Sequence, residues 1–346
     1  GPTPGGGPGP AAHDPDPVDS DPAPVGPELA DPSPAPTGAP VTRLAVLEAA
    51  GQAMVLTGQP DGTVQGFDLL DGTGREIRFA NPPGPVSLAP GDRPVLVRSG
   101  PAGIDVWDPA TGDRLGPTVA YPGAADGRWP DGPVAAGRVD GRRTLVLAVG
   151  AELYRVDVRT GHLLGPLVGH TAPIHAVTVT GMLGVPVALT AAADDTVRLW
   201  ELRSGRSLRT VLDGHGGGAY AVTAGTVRGR ELVFSAGRNG QVRVGDLTDL
   251  VSELTPCTRD AAGEVAVEPM VPLTATGPVR ALAVAPSHRP DWLVVADGAT
   301  LWWHPLVDGV GPSQTADLRA PVTALAASAD GVLVATGDGL LTYRPP

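Results

Sequence analysis

A sevenfold internal repeat constrains the fold of this chain more than any other feature of its sequence. Seven short apolar segments can be aligned, namely VTRLAV, VSLAP, VAAGRV, IHAVTV, AYAVTA, VRALAV and VTALAA. Their first residues, spaced 40 to 60 positions apart, are Val41, Val86, Val134, Ile174, Ala219, Val279 and Val322. Repeats of this length, made of short alternating strands between Gly, Pro, Asp and Asn, are typical of rings of small β-sheets. We therefore predict an all-β fold with seven four-stranded units.

The fourth unit shows the expected order of strands most clearly. It reads IHAVTVTGM, VPVALTAAADD, TVRLWELRSG and RSLRTVLDGH, four apolar segments separated by turn residues. Apart from LTDLVSEL at residues 247–254, which could form a short helix, no stretch shows helical periodicity. The repeats therefore predict strands along nearly the whole folded region.

The composition favours a folded chain that does not bind polyanions. Apolar residues make up 42% of the 346 positions, enough for a substantial core despite 48 glycines and 39 prolines. All 25 basic residues are arginine, and 37 acidic residues give a net charge of −12. An acidic surface repels phosphate backbones and anionic headgroups, so we expect neither nucleic acid nor a membrane as partner. The lysine-free composition is typical of a GC-rich bacterial genome and is actinobacterial-like.

Residues 1–24 are predicted to form a disordered acidic linker, because Pro, Gly and four Asp residues replace large apolar side chains there. No apolar run has the roughly 18 residues needed to span a bilayer, and no signal peptide is visible. The start Gly1-Pro2 resembles a tag-cleavage scar, so an upstream domain in the same polypeptide, an anchor or a secretion signal stays open. We expect cytoplasmic localisation, or an extracellular one if such an upstream element was removed.

Four residues of the fourth unit carry a family resemblance. His170 follows a glycine before the first strand, Thr190 lies in the second strand, Asp194 in the next turn, and Trp200 in the third strand. With these residues the chain resembles the WD40-repeat β-propellers over residues 25–346. The resemblance implies a seven-bladed propeller in which these four side chains form a hydrogen-bonded structural tetrad.

The other units keep only parts of this pattern. The fifth has His215 and Ser235, but Asn239 replaces the aspartate and Gly245 replaces the tryptophan. The seventh unit ends after its third strand, and the resemblance implies that residues 25–40 supply the missing strand and close the ring.

By the same resemblance, the chain is expected to be a non-catalytic scaffold or sensor, the C-terminal domain of a larger bacterial protein. Its partner is expected to be a protein or peptide. The insertion at residues 120–133 carries Arg128 and Trp129, residue types enriched in binding hot spots. The resemblance places this insertion on the face that usually meets partners. The remaining candidates for that face are Tyr220, Arg238 and Asn239.

The alternative is a propeller enzyme or a small-molecule-binding protein with a polar pocket at the channel mouth. His175, Tyr220 and Arg280 each follow the first residue of a repeat, so they are the candidates for that pocket. No cofactor or metal is expected, because the histidines do not form a converging set of three or four ligands. The single cysteine, Cys257, excludes an intramolecular disulfide and a cysteine-cluster metal site.

Overall fold

Most of the repeat region, but little of the first 40 residues, is described by the structure, a computed structural model. The described residues are 1, 28–29, 41, 43–49, 52–58, 64–68, 74–76, 86–90, 94–100, 102–121, 132–249, 279–285, 291–306, 313–328 and 331–344. The elements of more than two residues among them are all β-strands, which confirms the predicted all-β class, while Thr248 and Asp249, within the predicted short helix, are helical. Within these ranges no helix has the length and apolar character needed to cross a membrane. The predicted linker beyond Gly1, and residues 250–254 of the predicted short helix, lie outside the described residues.

The strands form seven antiparallel sheets, numbered here in chain order. Strand β1 (Glu28–Leu29) belongs to sheet 7. Sheet 1 contains β2 (Arg43–Ala49), β3 (Gln52–Gly58), β4 (Val64–Asp68) and β5 (Gly74–Glu76). Sheet 2 contains β6 (Val86–Ala89), β7 (Val95–Gly100) and β8 (Gly103–Trp107). Sheet 3 contains β9 (Val134–Val139), β10 (Arg142–Val149), β11 (Glu152–Asp157) and β12 (His162–Leu167).

The remaining sheets repeat this arrangement. Sheet 4 contains β13 (Ile174–Met182), β14 (Val185–Ala192), β15 (Val197–Glu201) and β16 (Ser207–Leu212). Sheet 5 contains β17 (Ala219–Val227), β18 (Arg230–Gly237) and β19 (Val242–Asp246). Sheet 6 contains β20 (Val279–Ala285), β21 (Trp292–Asp297), β22 (Thr300–Pro305) and β23 (Gln314–Asp317). Sheet 7 contains β24 (Val322–Ser328), β25 (Gly331–Thr336) and β26 (Gly339–Arg344), and β1 pairs with β26.

The first strands of six sheets begin at the first residues of the aligned repeats, while β2 begins at Arg43 instead of Val41. Sheets 2 and 5 contain three strands each within the described residues, although four were predicted. In sheet 2 the fourth position is taken by isolated antiparallel bridges, one of which joins Ile104 to Val119. In sheet 5 the chain after β19 soon enters residues 250–278, which lie outside the described part.

Successive sheets pack on one another through apolar clusters, and each cluster combines residues from two neighbouring sheets. Val97 of sheet 2, for example, belongs to one cluster with Leu147 of sheet 3. The first and last sheets are also neighbours, since Val55 of sheet 1 packs in one cluster with Leu333 of sheet 7. Every sheet therefore has an apolar partner on both faces.

The second strand of each sheet lies between two others and is covered on both faces. Every residue of β14, β21 and β25 is buried. Their sequences, VPVALTAA, WLVVAD and GVLVAT, are almost continuous apolar runs, as expected for strands without a face in water. The first strands are less buried, and several residues near their beginnings are accessible. The candidate site lies at those beginnings.

Candidate functional site

A buried hydrogen-bonded cluster in sheet 4 ties two turns to the strands. The indole N–H of Trp200 donates to Thr190 Oγ1 at 2.8 Å, and the same oxygen lies 2.7 Å from His170 Nε2. The other imidazole nitrogen, His170 Nδ1, lies 2.9 Å from a carboxylate oxygen of Asp194. These are the four residues on which the resemblance rested. Because each buried polar group has a partner, the cluster fixes the chain immediately before β13.

Asp194 organises the turn between β14 and β15. Its carboxylate accepts the Thr171 backbone N–H at 2.9 Å and the Thr196 hydroxyl at 2.7 Å. Burial raises the pKa of Asp194, but these hydrogen bonds and the contact with His170 outweigh it and hold the pKa below its ordinary value. Burial lowers the pKa of His170, although the hydrogen bond to Asp194 acts in the opposite direction. The cluster is therefore structural, because every member is committed to a neighbour.

Sheet 5 keeps half of this cluster. His215 Nε2 lies 2.7 Å from Ser235 Oγ, and Gly245 stands where sheet 4 has its tryptophan. His215 Nδ1 is buried and has no hydrogen-bond partner among the described residues. Burial, reinforced by the positive charge of Arg243, lowers the pKa of His215 to about 4. The imidazole is consequently neutral at physiological pH.

Sheet 6 has a tryptophan at the position of Trp200 but, within its described residues, no hydroxyl that could accept its indole N–H. Trp303 lies opposite Val294, just as Trp200 lies opposite Ala188 in sheet 4. The residue two positions further along the second strand is Thr190 in sheet 4 and Ala296 in sheet 6. In the described part of the chain, the buried indole N–H of Trp303 therefore has no hydrogen-bond partner.

A β-bulge recurs near the beginning of four consecutive first strands. The register shifts across one extra residue in each of β13, β17, β20 and β24. The extra residues are His175, Tyr220, Arg280 and Thr323. Bulges re-aim side chains and are common next to functional sites. The three predicted channel-mouth residues thus occupy equivalent positions in three neighbouring sheets.

Two of these bulge residues are in contact with each other. The imidazole of His175 and the phenol ring of Tyr220 stack with their centroids 4.4 Å apart and their planes 9° from parallel. Both side chains are half-buried, whereas Arg280 and Thr323 are exposed. Burial lowers the pKa of His175, which favours its neutral form. The pair presents an accessible aromatic surface where β13 and β17 begin.

A glycine turn at residues 216–218 lies against this surface. All three glycines have positive φ, from 56° to 121°, which disfavours other residues. A Cβ atom at Gly218 would lie 3.3 Å from the Tyr220 ring, and one at Gly217 would lie 3.7 Å from Arg238 Cβ. At Gly216 the nearest side-chain atom is the amide nitrogen of Asn239, 3.8 Å away. The structure therefore gathers three of the predicted partner-binding residues, Tyr220, Arg238 and Asn239, around one turn.

We call His175, Tyr220, Arg238, Asn239 and residues 216–218 the glycine-turn site. Sequence reasoning missed one residue that shapes it, Asp195. Its Oδ1 accepts the backbone N–H of Gly217 at 2.8 Å and that of Gly218. Asp195 itself has a φ of 66°. The sequence signal that could have revealed Asp195 was the adjacent pair Asp194-Asp195. The carboxylate of Asp194 binds within the buried cluster, and that of Asp195 accepts hydrogen bonds from the next sheet.

The other predicted partner-binding residues cannot be placed at this site. Arg128 and Trp129 lie outside the described residues, and so does Cys257. Within the described residues, no group of three or more His, Cys, Asp or Glu side chains is arranged to hold a metal ion.

Comparison with known proteins gives a likeness in structure at low sequence identity. No protein-family model matches the chain, and no curated protein matches it. Among solved structures, the crystal structure of the computationally designed Ika8 protein is similar, with 19% identity and a TM-score of 0.53. The match covers 91% of this chain and 98% of that chain. At this identity the likeness concerns the fold alone.

Proposed function

We propose that the chain is a seven-bladed WD40-like β-propeller that acts as a non-catalytic scaffold or sensor for a protein or peptide partner. The cyclic order of sheet packing supports the architecture, because sheet 7 packs on sheet 1 as the other sheets pack on their neighbours. The pairing of β1 with β26 supports it as well, since the two ends of the chain then share one blade. The cluster around Thr190 supports the WD40-like character.

One observation carries the binding function: the stacked rings of His175 and Tyr220 lie at bulges beside a glycine turn whose first two residues are exposed. Accessible stacked rings offer apolar area with little loss of conformational entropy, and aromatic residues are enriched where proteins bind partners. Gly216 and Gly217 are exposed and carry no side chain, so an extended chain can approach their backbone closely, whereas Gly218 is buried.

Charge at the site favours an acidic peptide. Arg238 lies exposed against the glycine turn and Arg280 is exposed at the equivalent bulge of sheet 6, while the carboxylate of Asp195 already accepts the Gly217 and Gly218 amides. Guanidinium groups bind carboxylates through paired hydrogen bonds and stack on aromatic rings. An extended peptide with an aspartate or glutamate next to an apolar residue would satisfy both the arginines and the stacked pair.

Selection from a random peptide library, followed by calorimetry of the selected peptides, tests this proposal. We expect enrichment of acidic peptides whose Kd rises at least tenfold in Tyr220→Ala and in Arg238→Ala. The matched control is Arg159→Ala, an exposed arginine in the turn between β11 and β12. Peptides that bind all three variants as tightly as the unmodified protein would place the binding surface elsewhere and overturn the proposal for this site.

A further inference from the structure

Two cavities adjoin at the other end of the first strands. The larger has a volume of about 560 Å³ and the smaller about 350 Å³. Asp140 and Arg203 line both cavities, and their side chains form an ion pair of 2.6 Å between Oδ1 and Nε. Both side chains are substantially exposed, and exposed ion pairs contribute little to stability. The boundary between the two cavities can therefore rearrange at small cost.

The larger cavity carries hydrogen-bond donors that the protein does not use. Arg138 of β9 and the threonines Thr178 and Thr180 of β13 line it. Within the described residues, the guanidinium of Arg138 forms no ion pair, and neither threonine hydroxyl has a hydrogen-bond partner. A cavity of this volume is within the usual range for small-molecule sites.

The smaller cavity adds two more arginines. Arg142 lies 3.6 Å from a carboxylate oxygen of Asp157, and Arg155 is 7% exposed. Arg155 donates from one terminal nitrogen to the backbone oxygens of Leu202 and Arg203, while its Nε has no partner among the described residues. Arg155 therefore contributes its positive charge to the lining of the smaller cavity, while its unpartnered Nε is not accessible from the cavity.

The charge around the two cavities is opposite to that of the whole chain. Their lining contains four arginines, at positions 138, 142, 155 and 203, and two aspartates, Asp140 and Asp157. The lining residues thus carry a formal charge of +2 in a chain whose net charge is −12. The arginines are drawn from three different strands and a turn, so this concentration is produced by the packing of sheet 3 against sheet 4.

We propose that the adjoining cavities bind a small ligand that carries at least two oxyanion groups. Arg138 and the hydroxyls of Thr178 and Thr180 would bind one oxyanion group. Arg203 would release Asp140 and bind the second oxyanion group. Guanidinium groups bind phosphate and carboxylate oxygens with similar paired geometry, so the shared chemistry is that of a compact polyanion. This site is separate from the glycine-turn site, because Thr180 lies five residues beyond His175 along β13, roughly 16 Å away at the rise of a strand.

Calorimetric titration at low ionic strength with two probes, inorganic pyrophosphate and citrate, tests the proposal and separates its two chemical sources. We expect saturable binding of at least one probe, and its identity decides between a phosphate and a carboxylate ligand. The expected Kd rises at least tenfold in Arg138→Gln and several-fold in Thr178→Val. The matched control, Arg319→Gln, removes an exposed arginine that lines neither cavity and should change the Kd less than twofold.

A variant that is expected to bind more tightly distinguishes a specific effect on binding from weaker binding caused by a damaged fold. Asp140→Asn removes a negative charge next to the proposed ligand, and asparagine tolerates the positive φ of 50° at this position. We expect a several-fold lower Kd, which a damaged fold would not give. The proposal is wrong if neither probe binds saturably, if Arg138→Gln binds like the unmodified protein, or if Arg319→Gln weakens binding as much as Arg138→Gln.

Discussion

The hydroxyl oxygen of Thr190 accepts the indole N–H of Trp200 at 2.8 Å, and both residues are completely or almost completely buried. The equivalent tryptophan of sheet 6, Trp303, is equally buried but has Ala296 at the threonine position. The two tryptophans therefore differ in hydrogen bonding while they share burial and strand position. Comparing the two tryptophans therefore separates the contribution of the hydrogen bond to the free energy of unfolding from the contribution of the buried ring.

Trp200→Phe is expected to lower the free energy of unfolding more than Trp303→Phe does. Both changes lose ring area and an indole N–H, but only the first breaks a hydrogen bond and leaves the buried Thr190 hydroxyl short of a partner, since the N–H of Trp303 has no partner among the described residues. Such a lost hydrogen bond costs about 1 to 2 kcal/mol beyond the packing term. Urea unfolding followed by far-UV circular dichroism measures both variants. Equal losses would show that the hydrogen bond in sheet 4 adds nothing to stability.

Acid is expected to destabilise the protein in part through His215. The unfolded imidazole takes up a proton below pH 6.5, whereas the folded pKa of His215 is about 4 because burial disfavours the charged form. Its contribution is complete above pH 6.5 and is lost as the pH falls toward 4. By linkage this amounts to about 2 to 3 kcal/mol between pH 7 and pH 4.5.

The corresponding measurement compares unfolding free energies at pH 7 and pH 4.5 for the unmodified protein and His215→Gln. The variant should lose that share of the pH dependence. His162→Gln, at an exposed position in β12, serves as control and should retain it. A His215→Gln protein with an unchanged pH dependence would contradict the assignment.

The stability of sheet 2 is expected to depend on the carboxylate of Asp105. Asp105 lies 2.7 Å from Arg98 and from Arg114, and it accepts the Thr118 hydroxyl at 2.9 Å. Asp105→Asn removes the charge that balances the half-buried Arg98, so we expect a loss of about 2 kcal/mol. Thermal unfolding of this variant and of the exposed control Asp113→Asn measures the difference. A similar melting temperature for both variants would refute the expectation.

Asp195 is expected to hold the glycine turn in its observed conformation. Asp195→Ala removes the acceptor of the Gly217 and Gly218 amides, which should speed their hydrogen exchange about tenfold or more. Asp195→Asn keeps an acceptor oxygen and tolerates positive φ, so it should stay near the unmodified rate. NMR measures the amide exchange rates of Gly217 and Gly218. Unchanged rates in the alanine variant would show that Asp195 does not stabilise the turn.

The sequence predicted the strands well because their signals are local. Alternating and continuous apolar segments give the positions of the first and second strands, and six first strands begin at the aligned residues. The four members of the sheet 4 cluster were predicted from the resemblance of the fourth unit to WD40 repeats, not from a local pattern alone. Departures arose where pairing is incomplete, as in sheet 2, where isolated bridges replace a continuous fourth strand.

The arrangement of the candidate sites was decided by tertiary structure. His175 and Tyr220 are 45 positions apart in the sequence, and their stacking depends on bulges in two strands and on the packing of two sheets. Two further contacts also depend on the packing of neighbouring sheets. Asp195 of sheet 4 accepts a hydrogen bond from the glycine turn of sheet 5, and Arg155 of sheet 3 donates to a backbone oxygen of sheet 4.

Taken alone, the sequence determined an all-β chain of repeated antiparallel sheets, because burial of each strand leaves a pattern in its own residues. Only the tertiary structure decided which polar side chains meet, namely the stacked pair beside the glycine turn and the arginines around the two cavities. Those contacts depend on strand register and on how neighbouring sheets pack. Neither quantity is set by a local pattern, since both result from the joint packing of residues that are distant in the chain.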